Sequence, residues 1–448
     1  MNCPRVNRAG TVDRRGRRHD SGRTKTLPNW QRNLAVLWVT QVLSLAGFNF
    51  VIPFLPFYIQ ELSPLTPDQV KLWTGLIASA PAIAMGVVAP LWGMLADRYG
   101  YKIMLLRAMA AGSVILFVMT RAETVTGILV LRTVQGFLTG TVTAATTLVA
   151  MGTPNEKTAS ALGTLASSTF IGFSLGPFFG GYAAQWLGYR SSFLIGSTLL
   201  AVGFVLVFFL VVEPHGDSGA TDSAGDGPVD SGRDSAIPAR SGAESATVAF
   251  NWRAIVPYLS LVFFLRITRS LAMPFIPLHI QELRGGAEGV AAAVGAIQGL
   301  IGLVSAIAGV TLARLGDRFP RIRVIAVCAS FSMILIAPTA FAGSIAVFTA
   351  FFVAGAFFLG GIEPNVQSEI SRLVPANRRG LIFGILTMVG SAGWAIAPLT
   401  GSAVGIRYGT AAVFIAMTVV LALLVIVSLV LQRNQVTKGR GGGVPRIK

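Results

Sequence analysis

Four ionisable side chains stand out as lying well inside long apolar runs: Glu363, Arg132, Arg266 and Arg269, with Glu369 nearer the end of its run. A charge in that setting is expensive and is a candidate for proton transfer or for recognising a charged ligand. Glu363 stands in Gly360-Gly361-Ile362-Glu363-Pro364, where the proline removes an amide donor and the glycines loosen the helix. Desolvation and a nearby arginine would pull the protonation of such a carboxyl in opposite directions, which suits it to carrying a proton or recognising a cation. Arg132 precedes Gln135 by three residues, so the two share a helix face and can hydrogen-bond. Arg266 and Arg269 are also three apart; they either neutralise Glu363 or make a cavity attractive to anions.

Other chemistries are poorly served. Cys3 and Cys328 are the only cysteines, and the histidines are the scattered His19, His215 and His279, so neither a metal site nor a cofactor is expected. Gly172-Phe-Ser174-Leu-Gly176 has the form G-x-S-x-G, but a nucleophile elbow needs a strand-to-helix turn and acid and histidine partners. The chain has no G-x-x-x-x-G-K-[ST] phosphate loop, so ATP is not the expected energy source and an enzyme is not the expected reading.

The elements that hold these residues follow from composition. Of 448 residues 53% are hydrophobic and 12% charged, against about 25% charged in a soluble domain. Apolar runs at 34–58, 72–93, 103–121, 125–150, 159–184, 191–212, 254–280, 290–314, 322–342, 344–371, 380–406 and 409–431 each approach the ~17–25 residues of a spanning helix. The net charge of +17 has no soluble face on which to form a nucleic-acid footprint. Instead, 28 of the 36 Lys and Arg fall in segments on one side, against Lys71, Arg121, Arg190, Arg284 and Arg407 on the other. That bias places both termini in the cytoplasm. The predicted organisation is a basic tail (1–33), a six-helix bundle (34–212), a disordered linker rich in Gly, Ser, Asp and Ala (213–250), a second bundle (251–431) and a basic tail (432–448).

The two halves repeat. Phe54-Leu-Pro56 through Gln60-Glu61-Leu62 recurs as Phe275-Ile-Pro277 through Gln281-Glu282-Leu283, an offset of 221 that also carries Pro154 to Pro375, Gly163 to Gly384, Gly172 to Gly393 and Pro177 to Pro398. Parallel repeats about an axis along the membrane normal, with a site at the midplane between them, are one transporter plan.

Two motifs carry a resemblance. Gly93-Met-Leu95-Ala96-Asp97-Arg98-Tyr-Gly100-Tyr-Lys102 resembles the signature loop of the major facilitator superfamily, with every signature position filled; its second copy around Asp317-Arg318 is degenerate, with Pro320 in place of glycine. Gly163, Gly172, Gly176-Pro177 and Gly180-Gly181 resemble the antiporter signature of that family's drug:proton branch, where small residues let helices pack closely and Pro177 is expected to kink the helix. Arg132-x-x-Gln135-Gly136 is similar to the family's R-x-x-Q-G motif, associated with proton transfer.

The resemblance implies an all-α fold of twelve transmembrane helices in two pseudo-symmetric bundles. It implies a monomeric, proton-coupled exporter of drugs or amphiphilic small molecules in the inner (cytoplasmic) membrane. Its partners would be the bilayer, protons and a small-molecule substrate, with no nucleic acid. In that reading Glu363 and Arg132 couple protons, Asp97 latches the halves, and Gln41, Asn49, Tyr58, Gln135, Arg266 and Arg269 line the cavity, with Phe48 and Phe50 as further helix-1 candidates. The rival readings are a facilitator for an anionic metabolite or a sugar that binds through Arg266 and Arg269, and a transport-dead sensor or scaffold.

Overall fold

The computed structural model describes residues 29–213, 252–286, 288–374 and 379–441. The stretches 1–28, 214–251 and 442–448 lie outside the described residues, and with them most of the expected N-terminal tail, the end of the expected C-terminal tail and nearly all of the expected linker; α14 carries the chain on to Gly441, into the segment expected as tail.

The described residues are all-helical, with no strand. Eleven helical stretches are long and apolar enough to cross a membrane, and the longest of them, Glu156–Leu210, is two spans joined at Gly188. Gly188 takes φ 79°, a conformation open chiefly to glycine, so the chain turns there without a loop. Twelve spans result among the described residues, as the apolar runs predict.

Three spans are divided. The first is α1 (Asn29–Asn49) and α2 (Leu55–Leu62), separated by a short 3₁₀ turn whose Pro53 cannot donate to the helix ladder. Its repeat-mate, α8 (Trp252–Ala272) and α9 (Ile276–Arg284), is divided at the equivalent place. The fourth span is α5 (Val125–Leu138) and α6 (Thr141–Gly152), interrupted at Thr139 and Gly140, the latter at φ 142°. The remaining spans lie in α3 (Pro67–Tyr99), α4 (Tyr101–Met119), α7 (Asn155–Leu210), α10 (Val290–Arg318), α11 (Arg321–Ile336), α12 (Ile345–Leu373), α13 (Arg379–Tyr408) and α14 (Thr410–Gly441).

Local sequence explains the ends. The Thr66 hydroxyl accepts from Gln69 N while the Gln69 side chain accepts from Thr66 N, a capping box that starts α3 with Pro67 at its first position. Thr124 and Ser344 cap α5 and α12 through their hydroxyls, and the repeat offset relates those two positions within one residue.

Within the first half α7 runs along α1; α13 bears the same relation to α8 in the second. Between the halves α7 lies on α10 and α3 on α13. A methyl built on Gly172 would lie 2.6 Å from Leu45 Cβ, and one on Gly393 3.1 Å from Arg266 Cβ. Leu45 and Arg266 are themselves 221 apart, so the repeat preserves the close approach while changing the side chain it accommodates. The antiporter-signature glycines Gly172, Gly176 and Gly180 therefore pack α7 on α1 inside one half, and Gly181 alone of that set meets the other half, against Ala291 and Gly295. The dihedrals stay helical through Pro177; the non-helical residue of α7 is Gly188 rather than the expected proline.

Candidate functional site

Glu363 projects from α12 between two guanidinium groups of α8. Arg266 Nη2 donates to its Oε1 at 2.5 Å and Arg269 Nη1 to its Oε2 at 2.7 Å, while Gln367 Nε2 reaches Oε1 at 3.3 Å. The spacing of the two arginines puts both on the face that meets α12, and Gly390 and Gly393 of α13 leave room beside Arg266. Charge-assisted, two-point contacts of this kind are short and directional. The side chains retain 32% (Arg266), 28% (Arg269) and 21% (Glu363) of their surface, so the cluster borders open space and can exchange partners. One carboxylate against two guanidiniums leaves it a net positive charge.

Arg132 is arranged differently. It is 6% exposed, and its Nη1 donates to Gln135 Oε1 at 2.6 Å. Among the described residues no carboxylate lies within ion-pair distance of it, and its Nε has no partner. The interruption of the fourth span follows about two turns after Arg132, and outside groups satisfy carbonyls there: Trp92 Nε1 donates to Phe137 O at 2.6 Å and Gln41 Nε2 to Thr141 O at 2.9 Å. Gly136 makes the pairing of α5 with α3 possible, since any Cβ would strike the backbone of Pro81.

The cavity candidates separate. Gln41 borders a cavity of about 140 Å³ with Val142, Thr146, Leu162, Leu165, Ala166 and Thr169. Tyr58, expected to line the cavity, is instead fully buried: its hydroxyl donates to Met119 O and Ala122 O, and its ring packs on Phe193. Asn49 is likewise enclosed, donating to Leu45 O and packed beside Gly176. A phenol and an amide near the end of an apolar span serve packing because their polar atoms find carbonyls close by.

In the signature loop Gly100 has φ 94°, and Glu213, at the end of α7, accepts from Tyr101 N at 2.7 Å and Lys102 N at 3.3 Å. Asp97 and Arg98 are exposed; Asp97 accepts from the Tyr101 hydroxyl at 2.5 Å, and Lys102 Nζ donates to Phe208 O. Asp97 thus bonds within its own half. In the second copy Asp317 pairs with Arg321 at 2.9 Å, again locally, and Arg318 is exposed.

The halves taper apart along their length. Gly163, Phe170, Ser174 and Gly181 share one face of α7, at about 3.6 residues per turn. At Gly181 a methyl would lie 2.6 Å from Ala291 O; at Ser174 the hydroxyl donates to Gly299 O at 2.6 Å; Phe170 lies 3.8 Å from a methyl on Gly309; and a methyl on Gly163 meets nothing within 4 Å. On α3, Gly75, Gly86 and Gly93 share a face in the same way. A methyl on Gly75 would lie 2.6 Å from Ser402 Cβ, whereas Gly86, Gly93 and, on α13, Gly384 have no such neighbour. The halves meet at the end remote from the basic loops and part at the end that carries them.

Sequence reasoning missed three features. Arg107, within the apolar run 103–121, was not counted among the embedded charges, yet it lies inside α4 with its guanidinium carbon 3.3 Å over the Trp92 ring. The interruption at Thr139 and Gly140 had a signal in the glycine, one that the apolar run masked. Gln60 and Gln281 meet across the halves, and the repeat offset that relates them was the available clue.

The sequence matches the family model described as Major Facilitator Superfamily over residues 37–264 and again over 258–446. It is 33% identical to the multi-drug resistance efflux pump PmrA homolog of Lactococcus lactis over 383 residues, covering 85% of this chain and 90% of that one. It is 30% identical to the multidrug resistance protein MdtG of Salmonella arizonae over 391 residues, covering 86% and 92%. Among solved structures, a bacterial homolog of the human lysosomal transporter Spinster, in an inward-facing and occupied conformation, superposes with a TM-score of 0.74 at 13% identity, covering 91% of this chain and 98% of that one. At that identity the likeness speaks for the fold alone.

Proposed function

The chain belongs to the Major Facilitator Superfamily, whose members are membrane transporters and not enzymes, and on that premise we propose that it exports drugs or amphiphilic small molecules across the cytoplasmic membrane by proton-coupled alternating access. Both relatives are named for multidrug resistance, which supports the cargo class. The basic loops put the tapered opening on the cytoplasmic side, with both termini there, so the conformation is inward-open. Two rigid bundles, 34–212 and 251–431, rock about the midplane, joined by the 213–250 segment, and a single chain is the working unit.

The observation that carries the coupling is the Arg266–Glu363–Arg269 cluster: one membrane-embedded carboxylate, held by two arginines and still bordering open space. Protonation of Glu363 releases both guanidiniums and with them the tie between α8 and α12. A proton shifts the two-state equilibrium only by its differential affinity for the states, so drug and proton exchange at this cluster. Arg132 with Gln135 tunes the same step from the other half. When the cytoplasmic end closes, Gly93 and Asp97 meet α13 and the latch forms.

The test is drug-driven proton movement in proteoliposomes with an imposed pH gradient. The parent is expected to couple and Glu363→Gln to lose coupling; unchanged coupling in the variant sinks the assignment of Glu363. The net positive charge of the cluster favours a second reading, a facilitator for an anionic metabolite bound by Arg266 and Arg269. Uptake of small carboxylates with no export of any cationic or neutral dye would establish that reading instead.

A further inference from the structure

The end remote from the basic loops is shut by a contact on the repeat axis itself. Gln60 Nε2 donates to Gln281 Oε1 at 3.2 Å, and Gln281 Nε2 donates back to Gln60 Oε1 at 3.3 Å. The two residues are 221 apart, the repeat offset, so each is the other's mate in the duplication, and a reciprocal amide pair satisfies both with one symmetric geometry. Beneath it lie the Gly75 contact with Ser402, the hydrogen bond from Ser402 Oγ to Lys71 O at 3.0 Å, and the Gly181 contact with Gly295.

The same closed end encloses polar groups that it does not satisfy. Thr74, next to Gly75, is 3% exposed, and its hydroxyl has no partner; Gln298, next to Gly299, is 4% exposed, and neither atom of its amide has one. Buried polar groups left unpaired destabilise the form that buries them, and hydration restores their hydrogen bonds. The seal therefore contains two opposed devices, a clasp that favours closure and enclosed amide and hydroxyl groups that favour opening.

We propose that Gln60 and Gln281 form the clasp that holds the outer gate shut, and that Thr74 and Gln298 are the residues that make its closure reversible. The assignment rests on the alternating-access reading above, and it adds residues with opposite effects on one equilibrium. All four are positioning residues: they set which face is open and touch no cargo.

The test is a distance distribution from two spin labels, at Glu123→Cys and Gly343→Cys in the loops before α5 and α12, in full-length protein with Cys3→Ser and Cys328→Ser, reconstituted in nanodiscs. Gln60→Ala with Gln281→Ala is expected to add a longer distance and raise the outward-open population at least tenfold. Thr74→Val with Gln298→Leu is expected to lower that population, and to lower turnover by trapping the inward-open form. Gln60→Glu with Gln281→Lys, an ion pair in place of the amide pair, is expected to restore the short distance. Distances that both pairs of variants move in one direction, or that the clasp variant leaves unchanged, overturn the proposal. Because the labels report shape, these outcomes stand whether or not the parent exports a drug, and failure of the cargo assignment is read separately in the transport assay.

Discussion

The two halves share a scaffold and differ in the charge they place on it. Carried back by 221 into the first half, Glu363 becomes Val142, Arg266 becomes Leu45 and Arg269 becomes Phe48; carried forward by the same offset, Arg132 becomes Val353. Where the first half divides its span at Thr139 and Gly140, α12 runs unbroken through Gly360, Gly361 and Pro364. One half thus keeps an arginine without a carboxylate beside an interrupted helix, and the other a carboxylate between two arginines on a continuous one. Duplication preserved helix contacts, as at Gly172 and Gly393, because a backbone approach tolerates only small residues. Charge diverged: Glu363, Arg266 and Arg269 border open space, where packing constrains a side chain less than at a backbone approach.

The largest expected effect separates the two charge sites. Glu363→Gln leaves two guanidiniums without their carboxylate, and removing one partner of an enclosed pair costs about 3–5 kcal/mol. Because this cluster is partly open, about 2–3 kcal/mol is expected in thermal unfolding of detergent-solubilised protein. Arg132→Gln strands no opposite charge, so its stability is expected to stay within about 1 kcal/mol of the parent while transport falls. A larger stability loss for Arg132→Gln than for Glu363→Gln would break the comparison.

The next effect separates the closed and open ends. Gly172→Ala and Gly393→Ala force a methyl against α1 and α8 and are expected to cost about 1–2 kcal/mol each, seen as a lower Tm. Gly163→Ala and Gly384→Ala meet open space and are expected to leave Tm unchanged while slowing turnover, because those faces close in the other state. Equal Tm losses in the two pairs would show that the taper is not the resting shape.

Gly140→Ala tests the interrupted span. At φ 142° an alanine is strained, and a loss of about 1 kcal/mol is expected, together with weaker transport as Arg132 is re-aimed. A variant as stable as the parent would mean that packing, and not the glycine, holds the interruption open.

The smallest effect lies at the signature loops. Asp97→Asn and Asp317→Asn both remove exposed carboxylates with local partners, so stability is expected to shift by no more than about 0.5 kcal/mol in either. Turnover is the discriminating measurement: a marked fall is expected for Asp97→Asn and a slight one for Asp317→Asn, and the reverse order would move the latch to the second half.

The reach of sequence reasoning differs from residue to residue. The twelve spans were legible because apolar length is counted along the chain, and the duplication because one offset recurs from Phe54 to Pro398. The charged residues were legible because so few interrupt those runs. Tyr58 was misplaced because a polar aromatic near a span end looks the same whether its hydroxyl faces a cavity or a carbonyl such as Ala122 O. Arg107 was passed over because it stands only about a turn inside its apolar run, and nothing in the chain order shows that its guanidinium stacks on Trp92.

By itself, the sequence determined the number of spans, their duplication, the side that carries the basic loops and four of the embedded charges. These depend on composition and period, which the chain holds locally. The tertiary structure decided that Glu363 engages both Arg266 and Arg269, that Arg132 has Gln135 and no carboxylate, that the halves part at one end, and that Gln60 meets Gln281 at the other. Each of those facts, save the bond from Arg132 to Gln135, joins or separates residues on different helices. A helix's period says which face a residue occupies, but the angle and depth at which two helices pack select the atoms that meet across it.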